Sequence, residues 1–188
     1  MAKVGVVGPL AELRALCPHR PLAPYEARRV AELQANRLLT LQGVDSAPVP
    51  EQLIEYLPRV RVIWRKDAPV SGHVEWTGGQ WLIAVCGKEA WVRQRFTMAH
   101  ELKHALDAPL AARLYPARRS LDPHAQREWA ANHFAACLLM PKRWITRAYF
   151  NEGIHDAGRL ARHFRVSTIA MRVRLDVLGI ERAGGRKQ

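Results

Sequence analysis

Apolar positions recur every three or four residues over Pro24–Leu41, with Gly43 as a stop, and this spacing predicts an amphipathic helix. A shorter helix is expected over 50–57, ended by Pro58. The period then changes. Residues 60–64, 73–76 and 80–86 carry the β-branched and aromatic composition of strands, and Thr77-Gly78-Gly79 is expected to turn the last two into a hairpin. Helical spacing returns over 96–106, where Ala99, Leu102 and Leu106 form one apolar stripe. Over 125–140, Ala131, Phe134, Ala135, Leu138 and Leu139 cover a wide arc, and Trp129, Ala136 and Met140 cover much of the rest. A helix buried nearly all round is expected there, with Asp122 as N-cap, Pro123 in the first position and a stop before Pro141. Residues 160–175 read as helix, turn, helix, with Ser167 capping the second helix. The pattern is that of an α+β chain, mostly helical with a short twisted sheet, and its 188 residues suffice for one core or one core with a helical appendage.

The chemistry concentrates in the helix over 96–106, where His100, Glu101 and His104 spell HExxH. Successive helical residues rotate by about 100°, so the two histidines lie about 40° apart and both imidazoles reach one ion. Glu101 stands beside them. It is too far round to be a good ligand but is placed to take a proton from a water that a cation has acidified. Catalytic zinc takes three protein ligands and keeps a fourth position open, so one ligand is missing. The extended HExxHxxGxxH pattern is absent, because Asp107 stands in the glycine place and Leu110 in the third-histidine place.

Glu128 is the preferred third ligand, since an ionised carboxylate on so apolar a helix costs several kcal/mol unless a cation or strong donors meet it. An ion pair with one of the many arginines is the alternative for Glu128, and His124, His133, Asp107 and Asp122 rank below it as ligands. His133 lies about 140° round the helix from Glu128, and His124 sits near the helix start. Asn132, one turn beyond Glu128, could accept the free ring N–H of a liganding histidine and fix its tautomer, or be an ordinary hydrogen-bonded core amide.

The run Arg95-Phe96-Thr97-Met98-Ala99-His100-Glu101-Leu102-Lys103-His104, then Glu128, then Asn132-His133-Phe134-Ala135-Ala136-Cys137-Leu138-Leu139-Met140-Pro141, resembles the ImmA/IrrE family of zinc-dependent endopeptidases. That family usually reads RFTLAHELGH followed by E-x-E-A-N-x-F-A-A-x-L-L-M-P, and the resemblance covers roughly residues 60 to 180. It implies a zincin-like (gluzincin-like) catalytic domain with His100, His104 and Glu128 as metal ligands and Glu101 as catalytic base. The implied metal is zinc, with manganese or another divalent ion as substitutes. The implied substrate is a helix-turn-helix repressor of the Cro/cI type, whose cleavage derepresses mobile-element, phage or stress-response genes. Lys103 replaces a frequent glycine, and is expected to bear on the cleft entrance, while Ala130 replaces a second glutamate. By the same resemblance an edge strand beside the metal pairs with extended substrate, and residues 81–86 are the expected strand, with plain packing within the sheet as the alternative. Tyr115, His73 and Tyr149 are candidates for stabilising the oxyanion.

The resulting organisation is an N-terminal helical segment (1–58), the metallopeptidase core (59–150), a helix-turn-helix-like pair (151–183) and a basic tail (184–188). The net charge of +12 suits an acidic partner or nucleic acid, or serves solubility alone. Were the C-terminal pair a DNA reader, Arg172 and Arg174 would meet phosphates, making a non-proteolytic metal-containing regulator the alternative function. Otherwise the pair packs on the core or receives the repressor. Cys17, Cys86 and Cys137 lack CxxC spacing, and neither a signal peptide nor a membrane span is read, so reduced thiols in a cytoplasmic protein are expected. Gly5-Val6-Val7-Gly8 lacks the third glycine of a dinucleotide fingerprint.

Overall fold

The structure, a computed structural model, describes residues 8–117 and 122–180. The basic tail expected at 184–188 and most of the Gly5–Gly8 run lie outside the described residues. Helices α1 (Pro9–Ala15), α2 (Pro24–Leu41) and α3 (Gln52–Glu55) lead into strands β1 (Val60–Arg65), β2 (Gly72–Thr77) and β3 (Gln80–Cys86). Helix α4 (Trp91–Asp107), a 3-10 turn, α5 (Ala111–Leu114) and α6 (Pro123–Leu139) follow. The described chain closes with α7 (Lys142–Thr146), a π-helical turn, α8 (Ala157–Phe164) and α9 (Thr168–Val177). This is an α+β fold, mostly helical.

The strand order is β1-β3-β2, with β1 parallel and β2 antiparallel to β3. Gly78 and Gly79 both take positive φ (58° and 78°), which a two-residue hairpin turn requires. The substrate-strand expectation for 81–86 is thereby corrected. With β1 on one side and β2 on the other, β3 has both edges paired, and the edge on the side of α4 belongs to β2.

Helix α6 packs between α2 and α4, and small residues on the facing helices (Ala99, Ala105, Ala130, Ala131, Ala135) are buried. Asp122 caps α6 as expected, accepting from the backbone N–H groups of His124 and Ala125 at 3.0 and 3.2 Å. One hydrophobic cluster runs from Leu10 through Ile83, Leu102 and Phe134 to Ile180, so the C-terminal pair shares the core of α4 and α6. Arg95 secures that junction. Its guanidinium, 3% exposed, donates to the carbonyls of Phe164 and Arg165 at the end of α8 and to that of Val49, and lies 3.6 Å from Glu51. Cys17, Cys86 and Cys137 are all buried and unpaired. Among the described residues no helix is long and apolar enough to cross a membrane.

Candidate metal centre

Helical spacing on α4 sets His100 and His104 on one face, and the packing of α6 against α4 brings Glu128 to them. The Nε2 atoms of the two rings are 3.0 Å apart. Glu128 Oε1 lies 3.1 Å from His104 Nε2, and Oε2 lies 3.3 Å from His100 Nε2. Among the described residues this is the one group of three such donors that converge, all within 4.8 Å of one another. Tetrahedral bonds of ordinary zinc–ligand length hold donors about 3.3 Å apart, so the spacing fits one divalent ion.

Protonation favours the same reading. Burial, then the neighbouring His100, pushes His104 down to about 4, and burial lowers His100, so both rings are neutral near pH 7. Neutral imidazole is the ligating form. Asn132 Oδ1 lies 3.1 Å from His100 Nδ1, where it accepts that ring's N–H and leaves the Nε2 lone pair facing the cluster.

Glu101, 8% exposed, has no hydrogen-bond or ion-pair partner among the described residues. Burial, and then the nearby Glu128, raises its carboxyl to about 7. Glu101 lines two open cavities of about 320 and 470 Å³ that share Gly72, His100 and Glu128. Gly72 at the start of β2 forms the opposite wall. A Cβ there would come within 2.3 Å of Thr97 Cγ2 and 2.8 Å of Glu101 Oε1, so only glycine fits. Sequence reasoning passed over Gly72, although a glycine opening a strand signals close approach by something else.

Other expectations change. Glu128 keeps 36% of its side chain exposed, because the cleft opens beside it, and so it is less buried than the apolar projection of α6 implied. Trp129, assigned to a buried surface, is 51% exposed because it borders a separate open groove beside α9. Lys103 does not touch the cleft entrance. It is 1% exposed on another side of α4, where Nζ donates to Asp107 Oδ1 at 2.5 Å. Tyr115 donates to Asp107 Oδ2 at 2.7 Å, which withdraws both Asp107 as a ligand and Tyr115 as an oxyanion donor. Tyr149 packs against Phe150 and His155 and does not border the two cavities. His73 and His124 do border the larger one. Asp122 is spent on its cap, and His133 faces a different groove.

A comparison with curated proteins found no match. Among solved structures, a chain described as a Mycobacterium tuberculosis transcriptional regulator is 20% identical, with a TM-score of 0.64. The match covers 89% of this chain but 51% of that one, so this chain spans about half that protein's length and shares its fold. A family model, the IrrE N-terminal-like domain, matches residues 60–176, which include the whole sheet, both histidines, Glu101, Glu128 and Asn132. The chain therefore belongs to the Peptidase_M78 family of metallopeptidase-type domains.

Proposed function

We propose that the chain is a zinc-dependent endopeptidase that acts in the cytoplasm on a Cro/cI-type helix-turn-helix repressor and so derepresses mobile-element, phage or stress-response genes. The observation that carries this reading is the convergence of two neutral imidazoles and one carboxylate at 3.0–3.3 Å, beside a second carboxylate that no described residue pairs with. A divalent ion bound there lowers the pKa of water and polarises a peptide carbonyl. The donor set suits zinc and also admits manganese.

His100 and His104 would hold the ion through Nε2 and Glu128 through a carboxylate oxygen, with Asn132 orienting the His100 ring. The Glu101 carboxylate takes a proton from the water that attacks the carbonyl carbon and delivers it to the amine nitrogen as the C–N bond breaks. The outer edge of β2 aligns the extended substrate through main-chain hydrogen bonds. We assign His73, which borders the cleft from that strand, to the developing oxyanion.

The test is to incubate the zinc-loaded protein with the repressor encoded beside its gene. One defined cut is expected, and none from Glu101→Gln carrying the same zinc. An uncut repressor, or equal cutting by the variant, overturns the reading. The description of the structural neighbour as a transcriptional regulator favours a second reading, a non-proteolytic DNA-binding regulator. Against it, Arg174 is 3% exposed with Nε donating to the Met140 carbonyl, which leaves Arg172 alone of the two expected phosphate contacts at the surface.

A further inference from the structure

A second groove, of about 400 Å³, lies between α6 and α9 and joins the metal centre. Its lining is mostly apolar, with Phe96 from α4, Trp129, Ala136 and Met140 from α6, and Val173 and Val177 from α9, and His133 among the polar groups. Phe96 and Asn132 line both this groove and the smaller of the two cleft cavities. Asn132 is also the residue hydrogen-bonded to His100, so the groove opens one side chain away from the expected ion. A polypeptide lying in the cleft therefore has the groove within reach of residues next to the bond at the ion.

The exposed face of α9 supports this use. Ile169, Val173 and Val177 are 76%, 60% and 61% exposed, four residues apart along one side of the helix. A helix reading DNA presents polar and basic side chains, whereas these are bare aliphatic groups continuous with the groove. The charged groups that line the groove are both guanidinium groups, Arg28 and Arg174. They disfavour a basic occupant and suit an apolar residue with acidic neighbours. Its volume lies at the low end of the range typical of small-ligand pockets, about 300–1,000 Å³, which fits a large side chain better than the face of a second copy.

The geometry points to the α6–α9 groove as the specificity pocket of the enzyme, taking one large apolar side chain of the polypeptide substrate within a few residues of the scissile bond. This rests on the endopeptidase reading, and the C-terminal helical pair then serves substrate selection.

The experiment uses the full-length, zinc-loaded protein and blocked dodecapeptides identical except for a central Leu, Phe, Ala, Ser or Lys. Binding is read from the NMR methyl signals of Met140, Val173 and Val177, and cleavage by mass spectrometry. The Leu and Phe peptides are expected to shift those methyls at concentrations at least roughly tenfold below the Ser and Lys peptides, and to be cut at one fixed distance from the apolar residue. Ala136→Trp, which fills the groove, and Val173→Asp, at an exposed position, should each erase the preference through KM, with the metal retained. Cutting without preference, with no shift at those methyls, overturns the pocket and leaves the endopeptidase standing. Selective binding in the groove without any cutting supports the pocket and counts against the endopeptidase. Shifts of the α9 methyls caused by a DNA duplex, or by self-association, overturn the pocket.

Discussion

Glu101 and Asp107 lie on the same helix and are 8% and 2% exposed, yet their surroundings are opposite in kind. Asp107 receives Lys103 at 2.5 Å and the Tyr115 hydroxyl at 2.7 Å, and Arg14 from α1 donates to the carbonyls of Ala105 and Leu106 beside it. Among the described residues Glu101 receives no such donor, and the charge that acts on it is another carboxylate, Glu128. Desolvating a carboxylate costs several kcal/mol, which the Asp107 side of α4 offsets on the spot. On the Glu101 side the cost stands, as it does where a group is held ready for chemistry. Burial alone does not nominate a functional residue; burial without a described partner, beside a group of side chains able to hold a metal, nominates Glu101.

The sharpest way to break this comparison is to neutralise each carboxylate's side in turn. Glu101→Gln should lower the rate of repressor cleavage by about 10²–10⁴-fold with zinc content unchanged, and should raise the melting temperature of the metal-free protein at pH 8. Lys103→Met should do the reverse, costing on the order of 3 kcal/mol in urea unfolding by stranding Asp107, and Lys103→Met with Asp107→Leu together should recover most of it. A loss of cleavage from Lys103→Met in protein shown to be folded would erase the distinction between the two sides.

Gly72→Ala sharpens it further. The added methyl collides with Thr97 and Glu101, so cleavage should fall about tenfold or more at constant metal content, with a stability loss of about 1–3 kcal/mol. Asn132→Ala should weaken zinc affinity by about 10–100-fold, measured against a competing chelator, because the His100 ring loses the acceptor that orients it.

The smallest effect concerns pH in the metal-free protein. His100, His104 and His133 are held below 6.5 by burial, so the unfolded chain binds protons that the folded one does not, and stability is lost as pH falls from 6.5 towards 4. Glu101, raised to about 7, works the other way: its folded form holds a proton that the unfolded chain releases above 4.5, so its contribution is lost as pH rises through 7. Urea midpoints across this range should therefore fall more steeply on acidification in Glu101→Gln than in the wild type.

The convergence of His100, His104 and Glu128 was legible because its logic is local. Four-residue spacing on a helix fixes the His100–His104 pair, and an acidic side chain on an apolar helix nominates Glu128. The caps Asp122 and Ser167 were legible for the same reason. Strand order was not, since hydrophobic alternation names strands without naming neighbours. The nearly unbroken apolar run Trp81-Leu82-Ile83-Ala84-Val85-Cys86 was a usable hint of a central strand, beside a β1 that carries Arg61 and Arg65. Lys103 illustrates a further limit. Its buried position depends on Asp107 one turn on and on Tyr115 beyond the helix, and helical angle alone gave no sign of the latter. Trp129 shows that periodicity reports apolar positions but does not separate core from an open groove.

The most direct measurement is X-ray absorption at the zinc edge on protein loaded with one equivalent of zinc, together with the stoichiometry of binding. Two imidazole nitrogens and one carboxylate oxygen at about 2.0–2.2 Å, with one zinc per chain and occupancy lost in His100→Ala, His104→Ala and Glu128→Ala, are the predicted result. Sulfur at about 2.3 Å, or full occupancy in Glu128→Ala, would contradict the assignment of these three residues to a single ion.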